Sequence, residues 1–241
     1  DLLSLLGLPD WVPRWYGPSI RRSFVRIHKA LDLVVESYRN EKQADDDSMI
    51  RRLIEARDEE TGEPLDPEAL RNETAVLFMA GHETTANSLA WCWYLISQAP
   101  AVEAKLHREL DSVLGGRTPT LADLPKLVYT RAIFDEALRL YPPVPILPRE
   151  AVKDDNFKGV RIPRGSLILV VPWLLHRHKR LWDKPDHFIP ERFLPENAKG
   201  ISKFAYIPFS IGPRICAGMS FGLTEAILCL RDNLESLPLE G

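Results

Sequence analysis

The chain has 241 residues, of which 45% are hydrophobic and 27% charged, and its formal net charge is −3. That length supports one sizeable domain or two small ones, and the composition is that of an ordinary globular chain. A charge balance this even, without a clustered basic stretch, gives no reason to expect nucleic acid, and the absence of repeats and low-complexity tracts excludes solenoid and disordered classes.

Three cysteines, Cys92, Cys216 and Cys229, are too few and too scattered for a disulfide framework. No CxxC pair is present to build a cysteine-based zinc site. Cys92 and Cys229 read as small buried hydrophobes. The sequence opens on Asp1-Leu2-Leu3, without an initiator methionine, a basic n-region or a cleavage pattern.

The first element comes from apolar positions Phe24, Ile27, Ala30, Leu31, Val34 and Tyr38, whose spacing predicts a helix over 19–39. A charged helix over 48–57 follows, ended by the turn signal Thr61-Gly62-Glu63-Pro64. Asp66-Pro67-Glu68 is a strong helix start, with Asp as N-cap and Pro at the first helical position. Nothing stops this helix before Pro100, so it spans 66–99. Its most apolar part, 75–96, is broken by His82, Glu83, Thr84, Thr85, Asn87 and Ser88, which rules out a simple lipid-spanning helix of about 20 apolar residues. A long helix that is apolar on most sides and polar at its centre is expected to cross a core past something polar.

An amphipathic helix over 101–114 closes on Gly115-Gly116, and another over 126–141 is stopped by Pro142-Pro143. Strand signals come only afterwards, in 146–152, 160–162 and 167–171, and read as one small sheet within 146–171. The stretch 172–213 reads as irregular. A last helix is expected from near Cys216 to about Leu230. The fold class is therefore mostly α with a small β-sheet.

The strongest chemical signal is 209–218, which reads F-x-x-G-x-R-x-C-x-G. Five fixed positions in ten arise by chance on the order of once in 10⁴ sequences. A cysteine at a helix start has its thiolate stabilised by the dipole and by free backbone N–H groups. Gly212 allows close approach to a flat cofactor, and Gly218 removes a side chain where the helix would meet it. Arg214 can hold a carboxylate, and Phe209 can cover the sulfur. Upstream lie Ala80-Gly81-His82-Glu83-Thr84-Thr85, Glu136-Ala137-Leu138-Arg139 and Pro190-Glu191-Arg192-Phe193. Glu136 and Arg139, three apart on a helix, can pair directly. Taken alone, such a pair is usually a surface salt bridge, and Thr84 more often back-bonds to a helix carbonyl.

In the order of these four motifs the chain resembles the cytochrome P450 family, over 11–230. The resemblance implies a P450-like fold, incomplete at both ends, read as one partial domain over 1–241. Cys216 is implied as the axial ligand to the iron of haem b (iron protoporphyrin IX). Arg214 is implied as a propionate partner, with Arg149 of Pro148-Arg149-Glu150 as a second. Ala80 and Gly81 would leave room for dioxygen, while Glu83 and Thr84 would manage protons. Glu136, Arg139 and Arg192 are implied as a buried structural network bracing the cysteine loop.

The reaction so implied inserts one oxygen atom from O₂ into a hydrophobic organic substrate. Electrons come from NAD(P)H through a ferredoxin or flavoprotein reductase, since no flavin or nicotinamide fingerprint is present. Leu77, Phe78 and 144–147 would touch substrate. The basic run 176–180 is either a solvated loop or a surface for an acidic redox partner. Peroxide or isomerisation chemistry at the same haem, and a catalytically inert fragment, are the alternatives. The resemblance implies an intracellular protein and leaves membrane attachment open. It also implies weak haem uptake by this stretch alone, with Leu89, Trp91 and Leu95 exposed on the long helix, and a tail, 231–241, unlike the family's closing β-structure.

Overall fold

The structure is a computed structural model, and it describes residues 18–40 and 48–236. The start of the resemblance at Trp11 and the last five residues of the tail lie outside the described residues. The chain divides into two compact units, 1–80 and 81–241.

In the first unit α1, Pro18–Asn40, turns Leu31 and Val35 inward. The short helix α2, Met49–Glu55, is capped by Ser48, whose hydroxyl accepts from the Arg51 amide. It ends before the expected boundary because Arg57 leaves the helix to bridge Pro64 across the Gly62 turn. The long helix α3, Pro67–Ser97, begins where Asp66 Oδ1 accepts from the Glu68 and Ala69 amides, at 2.9 and 2.8 Å.

The second unit holds the core. The end of α3 packs with α4, Pro100–Leu114, α5, Val128–Leu140, and α8, Met219–Ser236. Cys92, Ile96, Leu106, Ile133, Leu138, Ala226 and Leu230 form its centre. Gly115 closes α4 in the left-handed region, where a residue without Cβ carries no steric cost. Leu95 is buried and Leu89 packs against the core, contrary to their expected exposure. Trp91 is more exposed, and its indole stacks on Tyr141 with ring centres 4.0 Å apart.

Helix α5 departs from the amphipathic expectation, because every residue from Tyr129 to Leu140 except Arg131 is buried. It tolerates this because each polar group on it is paired. Glu109 of α4 caps its first turn, accepting from the Tyr129 and Thr130 amides and the Thr130 hydroxyl at 2.6–2.8 Å. Asp135 accepts from Arg131 at 2.7 Å and from the Tyr206 hydroxyl at 3.0 Å. Burial still raises the Asp135 carboxyl above its usual range.

One small sheet was expected, and two separate two-stranded ladders are found. β1, Leu147–Glu150, pairs antiparallel with β4, Leu167–Val170. β2, Asp155–Phe157, pairs with β3, Val160–Ile162, around a turn in which Lys158 and Gly159 both have positive φ. Segment β2 carries little β-propensity, so its sequence gave no strand signal.

The stretch 172–213 is not irregular throughout. It contains two one-turn helices, α6, Pro172–Leu175, and α7, Pro195–Ala198, and 3₁₀ turns at Pro190–Phe193 and Gly212–Arg214. Within it the basic run does not behave as one surface, because His176 is fully buried while His178, Lys179 and Arg180 are exposed. The His176 ring accepts the Ile207 amide through Nε2 at 2.9 Å. Burial lowers its pKa from 6.5 to about 4.

Glu136 and Arg139 are both fully buried, against the surface reading of the isolated pair. Arg139 donates to both oxygens of Glu136, at 2.7 and 2.8 Å, and to the carbonyls of His176, Pro185 and His187 at 2.7–3.0 Å. Glu136 also accepts from the Ile189 amide at 2.9 Å and from Arg192 at 3.3 Å. Removing one member leaves the other as an uncompensated buried charge. Glu136→Gln is therefore expected to cost about 3–5 kcal/mol of unfolding free energy, read by denaturant titration, while Glu136→Leu combined with Arg139→Met costs less than either single change.

His176 gives a pH test. Between pH 6.5 and about 4 the unfolded chain binds a proton that the folded chain excludes, so stability falls as pH falls through that window. His176→Gln is expected to flatten this slope, measured as midpoint denaturant concentration from pH 7 to pH 4.

Candidate active site

The loop that carries Cys216 is built from backbone conformations that few residues adopt. Ser210 sits at φ +62° and Gly212 at φ +71°, and between them the chain reverses. The Cys216 amide then donates back to the Phe209 carbonyl at 2.9 Å, and the Ile215 amide to Gly212 at 3.0 Å. A Cβ at Gly212 would meet no protein atom within 4 Å, and its positive φ is the feature of the protein that calls for glycine there. At Gly218 a Cβ would lie 3.9 Å from Cys216 Sγ. Helix α8 starts at Met219, three residues beyond the cysteine. The Met219 amide reaches the Cys216 carbonyl at 3.4 Å.

Two anchors fix where this loop starts. The Ile207 amide is held by His176, and the Tyr206 hydroxyl donates to Asp135 on α5. His176 is itself held by Arg139, which binds its carbonyl. The buried ion pair and the cysteine loop are thus joined through one histidine. His176 was read only as part of the basic run, and Tyr206 and Asp135 were not singled out, because each acts through a partner more than thirty residues away.

Cys216 opens on a pocket. Thr84, Thr85 and Ser88 of α3 form one wall, and Phe134 and Leu138 of α5 another. Pro143, Val144 and Leu147 line it beyond α5, while Pro208, Phe209, Ser210, Arg214, Cys216 and Gly222 complete it. Of the expected residues, Thr84, Phe209, Arg214 and Cys216 therefore meet at one place, and Val144 and Leu147 join them. Thr85, Ser88, Phe134, Leu138, Ser210 and Gly222 were missed. The polar centre of the long helix was a signal for the first two; none marked the others.

The remaining expected residues lie elsewhere. Ala80, Gly81 and Glu83 are exposed on α3. Leu77 is half-buried and Phe78 exposed. Arg149 is exposed on β1, and its guanidinium donates to the Pro148 carbonyl at 2.7 Å. Arg192 belongs to the buried network and Glu136.

The thiol of Cys216 is exposed, whereas Cys92 is buried, which drives its thiol far above the ordinary range. Among the described residues no group of three or more His, Cys, Asp or Glu could hold a metal ion. A single cysteine sulfur facing a mostly apolar cleft, with an arginine at its edge, suits a metal whose other ligands come from a large apolar chelate. Arg214 is exposed and makes no hydrogen bond or ion pair among the described residues, so it is available to an anionic edge of such a group. The residues present fit a haem. No helix among the described residues is long and apolar enough to cross a membrane.

Comparison with known proteins agrees with this site. The cytochrome P450 family model matches residues 2–240. Cyclooctatin synthase of Streptomyces melanosporofaciens is 40% identical over 208 residues, covering 86% of this chain and 45% of that protein. Pentalenene oxygenase of Streptomyces avermitilis is 38% identical, over 84% of this chain and 44% of its own length. Human cytochrome P450 4V2 is 34% identical over 89% of this chain and 45% of its own. The chain spans about half the length of the curated relatives it matches. With a family match over nearly its whole length, and with the cysteine loop and the polar-centred helix lining one pocket, the chain belongs to the cytochrome P450 family.

Proposed function

We propose that the whole protein is a haem-thiolate monooxygenase acting on a hydrophobic organic substrate. The observation that carries this reading is the meeting of Cys216 with Thr84 in one apolar-walled pocket. Haem b, when bound, supplies the activation of O₂ and the transfer of one of its atoms to a carbon, the other leaving as water. The protein's residues then have separate tasks. Cys216 supplies the thiolate ligand, and Arg214 neutralises one propionate. Arg149 is the second propionate partner in this reading. It lies two residues from Leu147 on β1, hence on the strand face that Leu147 turns to the pocket. Phe134, Leu138 and Val144 exclude water from the apolar walls.

Thr84 holds a hydroxyl at the pocket, while Glu83, the preceding residue on α3, is exposed to solvent. The pair therefore supports a proton path from Glu83 to Thr84, with Ala80 and Gly81 keeping side-chain bulk low one turn earlier. The apolar lining supports an apolar substrate, as does the likeness to an oxygenase of pentalenene. Electrons are taken to come from NAD(P)H through a ferredoxin or a flavoprotein reductase.

The ligand assignment has a direct spectral test. In the haem-loaded full-length protein, reduction under carbon monoxide should give the red-shifted thiolate band. Cys216→His is expected to abolish it, while Cys92→Ser and Cys229→Ser keep it. A band persisting in Cys216→Ser would overturn the assignment.

Thr84 is tested by coupling. In Thr84→Ala, NAD(P)H consumption is expected to continue while product falls and hydrogen peroxide rises. That expectation is checked by measuring all three in one reaction. Coupling equal to the parent's would restrict Thr84 to a helical role.

A further inference from the structure

Ser88 lies one helical turn after Thr84 on α3 and lines the same pocket. It is almost completely buried, at 2% exposure, in a region whose other walls are mostly apolar. Its hydroxyl donates to the Thr84 carbonyl at 2.7 Å. A buried serine on a helix has this route open, because the carbonyl four residues earlier lies on its own face. The Thr84 carbonyl then serves two donors, the Ser88 amide of the helix ladder and the Ser88 hydroxyl. Sharing an acceptor in this way weakens the ladder bond and constrains the carbonyl at that turn.

The shared carbonyl belongs to Thr84, which lines the pocket together with Cys216. We infer that Ser88 is a positioning residue for Thr84, fixing through this hydrogen bond the backbone from which the Thr84 hydroxyl enters the pocket. The inference rests on the proposed function for its catalytic consequence, and on the helix geometry alone for its structural one. Two further features place the effect on the pocket side of α3. Thr85, between them in sequence, also lines the pocket. Its Oγ1 lies 3.5 Å from where a Cβ on Gly222 would stand, so α8 packs closely against this turn. The turn is thus held from one side by packing and from within by Ser88. Loss of the Ser88 bond is free to act on the carbonyl it releases.

The test compares Ser88→Ala, which removes the hydroxyl, with Ser88→Thr, which keeps it. The first measurement is amide hydrogen exchange over 81–92 in the full-length protein, with and without haem. In Ser88→Ala the amide at position 88 no longer shares its acceptor, and its exchange is expected to slow several-fold, while Ser88→Thr exchanges like the parent. The second is coupling. Ser88→Ala is expected to raise peroxide released per NAD(P)H by roughly two- to tenfold, the range one side-chain hydrogen bond can shift a partition. Ser88→Thr should restore it, and the thiolate band under carbon monoxide should stay intact in both.

Exchange at position 88 unchanged in Ser88→Ala would overturn the inference, as would equal loss of coupling in both variants. Failure of the proposed function looks different. In that case the parent itself shows no thiolate band, while the exchange difference between Ala and Thr remains.

Discussion

The Arg139 guanidinium has no access to water and needs every one of its donors satisfied in place. Glu136, one turn earlier on the same helix, supplies the charge and two acceptors, and the carbonyls of His176, Pro185 and His187 supply the rest. Those three carbonyls belong to a stretch with little regular structure to hold it. Burying a charge is costly, and the cost is offset only while the geometry is complete. The arrangement therefore constrains in both directions: the helix keeps its ion pair only if 176–187 folds over it, and that segment finds its course from the guanidinium. Trp182 lies beneath, with its ring 5.0 Å from the guanidinium carbon, and closes the remaining face.

From there the order passes to the cysteine. Arg139 fixes the backbone of His176, the imidazole of His176 fixes the amide of Ile207, and two residues later Phe209 accepts the amide of Cys216. Tyr206 adds a second attachment of the same strand of chain to α5, through Asp135. A loop that holds Ser210 in a left-handed conformation stores on the order of 1–3 kcal/mol of strain. It keeps one shape because both its approach and its return are bonded. The neutrality of His176 is part of this. Protonation would turn its Nε2 from an acceptor of the Ile207 amide into a second donor, which explains why the depressed pKa and the loop anchor belong together.

The elements that the sequence made legible are those whose causes are local. The start of α3 at Asp66-Pro67, the close of α4 at Gly115 and the stop of α5 before Pro142 are each decided within a few residues. The cysteine loop was legible because its unusual conformations need particular residue types in fixed order. The full burial of α5 was not legible, because it depends on polar partners from Glu109, Ile189 and Tyr206, none adjacent in sequence. The same reason hid His176. In sequence it sits at the head of a basic run, Arg177 to Arg180, and only the fold separates it from those neighbours. Arg149, taken from its motif context, lies on the strand that carries Leu147 and donates to the Pro148 carbonyl.

Helix α3 unites these lines. Where part of a helix is buried, each polar residue there needs a partner or an opening. Thr74 finds a partner in the Leu70 carbonyl at 2.8 Å and Ser88 in that of Thr84. Thr84 and Thr85 find the pocket. The polar centre is therefore not a weakness left in an otherwise apolar helix. It marks the place where the helix, still close to α8 at Thr85, becomes a wall of a cavity. Across that cavity the only exposed cysteine sulfur among the described residues is presented by a loop fixed from the opposite end of the core. Phe134 and Leu138 line the same cavity from α5, the helix that carries the buried ion pair. The helix that holds the buried ion pair thus contributes to the lining of the pocket and, through His176, to the anchoring of the cysteine loop.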